Sequence, residues 1–345
     1  MIPAPYLLYL GNETDDLAIK TSRGLAQWRP SLCIGQYRAR ACRLSLGFPD
    51  LGFSEAVRRG AKTLVLGIAN AGGTLGAEVV KDAVMAVEAG LDVASGLHAR
   101  LRAQPLIAAA AERFGRRLFD VRDPPAELPI GTGSRRAGKR LLTVGTDCSV
   151  GKMYTTLGLE REMRNRRIPA DFRATGQTGI LIAGAGMPVD AVVADFISGS
   201  IECLSPPRHD RGWDLIEGQG SLFHPSFAGV SLGLLHGAQP DALVLCHEPG
   251  RVHMRGLLGR ALPELAACLD ANLIAARLTN PDVKAVGVAL NTSRLAAEDA
   301  LRTCARVSEE LGLPCQDPIR SGVGLIVDRL VQCFESPKST VAVER

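Results

Sequence analysis

The chain has 345 residues, of which 46% are hydrophobic and 22% charged, and its formal net charge is +4. This length suggests two domains, and the small net charge, with no long block of Lys or Arg, argues against a nucleic-acid partner. No stretch approaches the roughly 20 apolar residues of a membrane span. The first ten residues also lack the basic segment that opens a signal peptide. We therefore expect a cytoplasmic protein with neither a membrane nor a nucleic-acid partner.

Nine cysteines are scattered among apolar segments, with no CxxC pair and no spacing typical of a zinc site. This distribution predicts reduced thiols packed as small apolar side chains, and no metal centre. The 37 glycines and the low aromatic content fit an α/β protein with many tight turns between strands and helices.

Residues 1–125 are predicted to form a Rossmann-like α/β domain. Strands are predicted at 62–67, 91–96 and 117–122, and helices at 78–89 and 100–113. Such alternation is typical of a parallel sheet. Gly72, Gly73 and Gly76 follow the first of these strands without the spacing G-x-G-x-x-G, which favours a tight turn over a dinucleotide site.

A second α/β domain is predicted at 140–335, after a linker at 126–139 that is rich in Pro, Gly and charge. Its strands are predicted at 141–144, 170–175, 213–217, 242–247, 283–291 and within 313–320, and its helices include 260–270, 295–311 and 324–333. Residues 336–345 are predicted to be a tail. The alternation again indicates a parallel sheet covered by helices, so the fold class is expected to be α/β in both domains.

The segment from Gly145 to Met153 has the order of a phosphate-binding loop: an apolar strand, a glycine-bounded loop with Lys152, and a helical segment. Backbone N–H groups and a helix N-terminus then point at an anion, and the lysine adds a charge. The predicted cofactor-binding residues are Gly145, Thr146, Asp147, Cys148, Ser149, Val150, Gly151, Lys152, Met153, Tyr154 and Thr155. Met153 replaces the Ser or Thr whose hydroxyl helps to hold Mg²⁺ in NTPases. The loop therefore predicts phosphate binding more clearly than ATP hydrolysis.

Polar residues also lie at or just after the ends of the other predicted strands, and ligands bind beyond the carboxyl ends of the strands in an open parallel sheet. These residues are Gln177, Thr178, Glu217, Gln219, His224, His247 and Asn291. Glu217 fits an acidic metal or water ligand, a general base with a raised pKa, or an acceptor for backbone N–H groups. His224 fits either a proton carrier or a structural residue. Cys148, beside a helix N-terminus, is a further candidate nucleophile.

Three motifs resemble those of dethiobiotin synthetase and its cobyrinate-amidase relatives. They are Gly145-Thr-Asp-x-x-Val-Gly-Lys152, Glu217-Gly-Gln-Gly220 and the late strand that ends at Asn291. This resemblance covers the second domain and implies a P-loop NTPase-like fold there. It also implies, as one candidate chemistry, an ATP- and Mg²⁺-dependent ligase or kinase acting on a small carboxylate, with Glu217 and Asp147 on the Mg²⁺.

A closer resemblance extends over nearly the whole chain. Beside the phosphate loop it rests on Lys20-Thr-Ser-Arg-Gly-Leu-Ala-Gln-Trp28-Arg-Pro30, Gly72-Gly73-Thr-Leu, Asp92-Val-Ala-Ser-Gly-Leu-His98, Phe119-Asp-Val-Arg122, Thr175-Gly-Gln-Thr-Gly179, Glu217-Gly-Gln-Gly-Ser-Leu222-x-His-Pro225 and Asp317-Pro-Ile-Arg320. These segments resemble a bacterial and archaeal P-loop family whose members include D-glutamate N-acetyltransferases. In that family, the product N-acetyl-D-glutamate feeds D-glutamate catabolism.

The loop chemistry and the resemblance meet at acetyl-CoA, whose nucleotide end carries a pyrophosphate and a 3′-phosphate. Thioester aminolysis needs no Mg²⁺, but it needs a base for the substrate ammonium and donors for an oxyanion. We predict Lys152, Glu217 and His224 as the catalytic group. In this hypothesis Lys152 holds the CoA phosphates, Glu217 or His224 takes the proton, and amides near Gly218 or Gly220 serve the oxyanion.

The predicted substrate-binding residues are Arg173, Gln177, Thr178, Gln219 and Arg251. The two arginines are chosen because a guanidinium binds a carboxylate through two parallel hydrogen bonds. We expect a small amino-acid substrate and a homo-oligomer, although no segment has the signature of an interface. A non-catalytic nucleotide sensor is a third hypothesis, which the density of polar residues at the strand ends disfavours.

Overall fold

The computed structural model describes residues 2–15, 18–68 and 74–334, so Gly72, Gly73 and the predicted tail at 336–345 lie outside the described residues. The chain divides into two compact units. The first contains residues 1–126 and 174–191, and the second contains residues 127–173 and 192–345. Each unit has a parallel sheet of its own.

The first 126 residues alternate strands and helices. The elements are β1 (Tyr6–Gly11), α1 (Lys20–Trp28), β2 (Cys33–Arg38), α2 (Phe53–Arg58), β3 (Thr63–Leu66), α3 (Ala77–Glu88), β4 (Asp92–Ser95), α4 (Pro105–Phe114) and β5 (Leu118–Asp120). The strands of this sheet have the order β2-β1-β3-β4-β5, and each neighbouring pair is parallel. The local sequence sets the bounds of α4, because Pro105 needs no N–H partner at the first position and Gly115 ends the helix at φ 62°.

The sequence prediction of three strands in this unit was incomplete, because β1 and β2 are also part of the sheet. All six residues of β1 are buried, and the strand lies between two neighbours. A strand buried on both faces is a short continuous apolar run without alternation. Periodicity alone cannot distinguish such a run from a piece of buried helix, which is why β1 was missed.

The rest of the described chain forms the second sheet and its helices. The elements are β6 (Lys139–Gly145), α5 (Lys152–Asn165), β7 (Ala170–Arg173), α6 (Gln177–Ala183), α7 (Ile197–Leu204), β8 (Trp213–Ile216), α8 (Ala228–Ala238), β9 (Ala242–His247), α9 (Leu265–Arg277), β10 (Lys284–Leu290), α10 (Ala297–Leu311), β11 (Cys315–Gln316) and α11 (Gly324–Phe334). Helix α6 belongs to the first unit and the other elements to the second.

The second sheet has the order β11-β10-β9-β6-β8-β7 and is parallel throughout. Four neighbouring strands each contribute side chains at 0% exposure to one core, among them Leu141, Leu215, Val244 and Val286. Residues of α5 and α11 pack into the same core. Strand β6 lies between β9 and β8, so its carboxyl end, where the phosphate loop begins, is flanked by the ends of both neighbours.

Two predicted elements of this unit have different bounds in the structure. The helix predicted at 260–270 is found at Leu265–Arg277, because the preceding loop contains Gly256 and Gly259 at positive φ and then Pro263. The strand predicted within 313–320 is reduced to Cys315–Gln316, since Pro318 has no N–H for a ladder of hydrogen bonds. Both parallel sheets confirm the predicted α/β class. In the described part of the chain, no helix combines the length and the apolar character needed to span a bilayer.

Candidate functional site

The phosphate loop is formed by residues 146–151, between the end of β6 and the start of α5 at Lys152. Its backbone is left-handed at Ser149 (φ 54°) and at Gly151 (φ 101°). The second value suits glycine, which has no Cβ to clash. At Gly145 a Cβ would lie 2.8 Å from Val150 Cγ2, so the loop folds closely back on the strand that precedes it.

Lys152 lies inside the loop rather than on its surface, with 6% of the residue exposed. Its ammonium donates to Asp147 O and to Gly220 O, both at 2.8 Å. Burial lowers the pKa of this ammonium. Since a lysine ammonium has three donors, the two carbonyls leave one N–H for an anion. Lys152 thus joins the phosphate loop to the glycine-rich loop that follows β8.

Asp147 connects the phosphate loop to the loop that follows β9. The residue is fully buried (0% exposed), and its Oδ1 accepts the Cys148 N–H at 2.7 Å. Its Oδ2 accepts from Arg251 Nη1 and from the Arg255 backbone N–H, both at 2.8 Å. A carboxylate with this ion pair and these N–H donors is suited to holding two loops together, and it is poorly placed to bind Mg²⁺ as the ligase alternative requires.

Arg251 is bound on several sides by groups of the protein. Beside Asp147, its guanidinium donates to Cys148 O at 2.7 Å and to Ser149 O at 3.0 Å, and it also pairs with Glu248. Glu248 pairs in turn with Arg294 at 3.1 Å. The structure therefore places the predicted substrate residue Arg251 in the scaffold of the phosphate loop.

Glu217 immediately follows β8, as predicted, and is buried with 5% exposure. Its backbone N–H donates to Arg173 O at 3.0 Å, and the Gly218 N–H donates to Thr143 Oγ1 at 3.0 Å. A Cβ at Gly218 would lie 2.8 Å from the Thr143 carbonyl carbon and closer still to its oxygen. Only glycine allows this approach, so the Glu217 backbone is held tightly against the end of β6.

The other residues of the glycine-rich loop contact the same elements. Ser221 Oγ donates to Thr146 O at 3.1 Å, and Gln219 O accepts from Ser231 Oγ at 2.7 Å. Gly220 has a φ of 62°, and a Cβ there would lie 2.7 Å from Ser231 Oγ. The backbone of this loop is therefore fixed on both sides, which is what a site that stabilises an oxyanion through amides requires.

His224 is almost completely buried, with 2% exposure. Its Nδ1 accepts the Ser226 N–H at 3.2 Å, and its Nε2 lies 3.2 Å from Arg255 O. These partners assign the neutral ring with its proton on Nε2. Ligand atoms of His224, Asp147 and Cys148 lie within 4.8 Å of one another, a set of residue types that binds metals. The hydrogen bonds of His224 and Asp147 occupy those atoms, so we assign the group to the scaffold.

Two further side chains of the loop region have perturbed acidities. Burial and the nearby Arg251 lower the pKa of His247 to about 4, and its Nδ1 lies 2.9 Å from Thr146 Oγ1. Burial raises the pKa of the Cys148 thiol, against the opposing effect of Lys152. Since a nucleophilic cysteine needs its thiolate form, the raised pKa disfavours the covalent role considered for Cys148.

A cavity of about 180 Å³ opens beside the N-terminus of α5. Its lining consists of Val150, Gly151, Tyr154, Thr155, Asn291, Asp317, Pro318 and Ile319. The Thr155 hydroxyl donates to Gly151 O at 3.0 Å, within the first turn of the helix. Asp317 accepts N–H groups of Ile319 at 2.8 Å and of Arg320 at 3.0 Å, which shapes the turn that forms one wall.

The remaining predicted substrate residues occupy different places. Arg173, at the end of β7, contacts the buried Asp214 through Nε at 3.0 Å and Nη2 at 2.9 Å. Gln177 and Thr178 begin α6, which belongs to the first unit, and Thr178 Oγ1 lies 3.0 Å from Thr21 Oγ1 there. The second unit brings Lys152, Asp147, Gly220 and Arg251 together as residues that contact one another.

From the loop between β9 and α9, sequence reasoning selected Arg251 but missed the roles of Glu248 and Arg255. The Arg255 guanidinium contacts the Ser149 hydroxyl, and its backbone N–H is held by Asp147. The available signal was positional, because this loop follows the carboxyl end of a central strand. Its three glycines at positive φ, at positions 250, 256 and 259, mark an irregular segment before α9.

Comparison with protein families matches both units. A P-loop domain, described as the domain of unknown function DUF1611_C, matches residues 129–327, and a Rossmann-like domain, described as DUF1611_N, matches residues 35–124. The chain belongs to the DUF1611 family. Both matches confirm the predicted fold class of each domain.

Curated relatives and a solved structure extend this result over nearly the full chain. A D-glutamate N-acetyltransferase of Pseudoalteromonas is 50% identical over 95% of this chain and 99% of its own. One of Tritonibacter scottomollicae is 52% identical over 96% of this chain and 99% of its own. The crystal structure of a DUF1611 family protein from Anabaena variabilis is 31% identical, with a TM-score of 0.85 over 96% of this chain and 100% of its own. The predicted family is confirmed, and the chain is an enzyme of the N-acetyltransferase class.

Proposed function

We propose that the protein transfers the acetyl group of acetyl-CoA to the amino group of D-glutamate. The observation that carries this proposal is the identity of 50% and 52%, over 95% and 96% of the chain, to two proteins named D-glutamate N-acetyltransferase. The nine free cysteines support a reducing compartment, and we assign the reaction to the cytoplasm.

The phosphate loop is the proposed site for the phosphates of CoA. Loop amides and the N-terminus of α5 supply the N–H donors, apart from the amides of Thr146 and Cys148, which donate within the protein. Lys152 adds a buried cation with one N–H beyond its two carbonyl partners. The neighbouring cavity of about 180 Å³ is the proposed place for the adenine ring, between Tyr154 and the turn at 317–320. Asn291 at its edge has the donors and acceptors that an adenine edge requires.

Glu217 is the proposed base. It is the buried carboxylate that immediately follows β8, and a positioned carboxylate can act as a general base. In the proposed step Glu217 removes a proton from the substrate ammonium, and the amine attacks the thioester carbonyl. The tetrahedral oxyanion accepts amide N–H bonds of the glycine-rich loop near Gly220, because the Gly218 N–H is held by Thr143 Oγ1. The C–S bond then breaks as the C–N bond is kept. The nitrogen, positively charged after the attack, loses its second proton, and the departing thiolate takes up that proton, so that CoA leaves as a thiol. His224, bonded to Ser226 and Arg255, holds the surrounding loops instead of moving the proton.

Arg173 is the stronger of the two arginines as a ligand of a substrate carboxylate. Its contacts with Asp214 use Nε and Nη2, so Nη1 is the donor that we assign to the substrate. The guanidinium of Arg251 already donates to two carbonyls and two carboxylates of the protein. We therefore assign Arg251 to the shape of the phosphate loop.

The experiment measures CoA release from acetyl-CoA by chromatography, because the nine free cysteines of the protein would react with a thiol dye. D-glutamate is compared with L-glutamate, each with and without EDTA, and a parallel reaction contains ATP and Mg²⁺. We expect CoA release that requires D-glutamate and survives EDTA. ADP formation without CoA release would instead support the ligase or kinase alternative and refute the proposal.

A further inference from the structure

The loop between β9 and α9 places a cationic side chain, Arg255, against the phosphate loop. It leaves β9 after His247, forms an antiparallel bridge between His253 and Ala261, and is anchored by the buried Met254 (3% exposed). The Arg255 backbone N–H donates to the buried Asp147 carboxylate at 2.8 Å. This bond fixes the Arg255 backbone against the phosphate loop, and the side chain reaches the Ser149 hydroxyl of the same loop.

Among the described residues, Lys152, Arg251 and Arg255 bond groups of this loop, and Arg294 joins them through Glu248; these four cations differ in their partners. Lys152 is bound by two carbonyls, Arg251 pairs with Asp147 and Glu248, and Arg294 pairs with Glu248. The guanidinium of Arg255 contacts the Ser149 hydroxyl, and its residue is exposed. A neutral hydroxyl is a weaker partner for a guanidinium than an anion is. Arg255 is therefore the cation of this group whose observed contact is most easily exchanged for a phosphate.

The sequence after Lys152 indicates why such a cation would be needed. The Met153 side chain has no oxygen, whereas the hydroxyl of Ser or Thr at this position helps to hold the Mg²⁺ that offsets phosphate charge in NTPases. Asp147 is engaged by Arg251 and Arg255 and is fully buried. A guanidinium at the loop can supply the missing positive charge without a metal, and its planar fork matches two phosphate oxygens.

We propose that Arg255 is a phosphate-binding residue that takes the place of Mg²⁺ at this loop. When the cofactor binds, its guanidinium exchanges the Ser149 hydroxyl for a phosphate oxygen. The identity of the phosphate as one of CoA rests on the proposed function. The inference also predicts that the phosphate contact is independent of divalent cations.

The test compares Arg255→Ala with Arg260→Ala, which removes the same charge from the same loop. Arg260 is exposed, and its guanidinium makes a long hydrogen bond of 3.5 Å to Phe223 O. Dissociation constants are measured by calorimetry in EDTA for acetyl-CoA, for acetyl-dephospho-CoA, which lacks the 3′-phosphate, and for ADP. Arg255→Ala should raise the dissociation constant about 10- to 100-fold, which equals about 1.4–2.8 kcal/mol of binding free energy. Arg260→Ala should raise it less than about twofold.

The ligands separate the possible results. An equal loss with both CoA compounds assigns Arg255 to the pyrophosphate, and a loss confined to acetyl-CoA assigns it to the 3′-phosphate; both support the proposal. Equal constants for the Arg255 and Arg260 variants with every ligand overturn it. Binding of ADP but not of acetyl-CoA by the wild-type protein refutes the proposed function, while the ADP titration of the two variants still decides the role of Arg255. Arg255→Lys should recover part of the affinity, because it keeps the charge and loses the fork.

Discussion

Replacing Gly218 by alanine should disturb both the stability of the second unit and the position of Glu217. The added Cβ would lie 2.8 Å from the Thr143 carbonyl carbon, closer still to its oxygen, and 3.0 Å from Lys152 Cδ. Thr143 belongs to β6, which is paired on both sides, so its carbonyl cannot yield as a flexible side chain would. The chain at Gly218 must move instead, which weakens the bond from its N–H to Thr143 Oγ1.

The expected cost is the upper end of that measured for overpacking, about 3 kcal/mol. For a unit of this size, that corresponds to a fall of about 6–12 °C in the midpoint of thermal unfolding. Gly229→Ala is the matched control, because no described atom lies within 4 Å of its added Cβ and the residue lies in α8. It should raise stability by about 0.5 kcal/mol. The midpoint of unfolding is measured by calorimetry, and activity is measured by CoA release. A Gly218→Ala protein with the wild-type midpoint and full activity would show that the backbone at Gly218 tolerates a Cβ, and would refute the prediction.

Three further predictions concern single side chains. Lys152→Ala should weaken acetyl-CoA binding by about 1.5–3 kcal/mol, the value of a charge-assisted contact, whereas Lys81→Ala, an exposed lysine of α3, should leave it unchanged in the same titration. Glu217→Gln should lower kcat about 100-fold or more with little change in acetyl-CoA affinity, since a base contributes about 10²–10⁴-fold; full activity would remove Glu217 as the base. The pKa of His247 is lowered to about 4 in the folded protein, so the unfolded chain binds the extra proton first and stability is lost as pH falls from about 6.5 to 4. His247→Gln should reduce this loss of unfolding free energy by up to about 3 kcal/mol. Denaturant unfolding measured between pH 6.5 and 4 checks it, and the same dependence of the unfolding free energy on pH in both proteins would contradict it.

The phosphate loop was predictable because one continuous segment encodes it. A strand, a glycine turn and a helix follow one another at 139–165, and each is specified by its own residues. The same holds for the strand ends that carry Glu217 and His247, since a parallel sheet brings its carboxyl ends to one edge. Local pattern and sheet geometry were sufficient to identify these positions before any contact was known.

The partners of these residues were not predictable, because they are set by packing across long stretches of chain. Asp147 fits a metal ligand in the sequence, but in the fold its carboxylate meets Arg251 and Arg255, more than 100 positions away. Arg251 was predicted to bind substrate, but its guanidinium donates to Asp147, Cys148 and Ser149 of the phosphate loop. Gln177 follows a strand of the second sheet in the sequence, yet α6 groups with the first unit. Sequence spacing does not report where a chain crosses from one unit to the other.

That crossing limits how the two halves of the gene can be separated or exchanged. The first unit includes residues 174–191, so a cut in the segment 126–139 divides it. The fragment 1–126 would lose the helix against which Thr21 bonds Thr178, and the fragment 127–345 would expose Ile180, Leu181 and Ile182, which are now buried. During synthesis the first unit cannot be completed until residue 191 has left the ribosome. A chimaera between two relatives must therefore carry residues 174–191 with the amino-terminal half in order to preserve both folds.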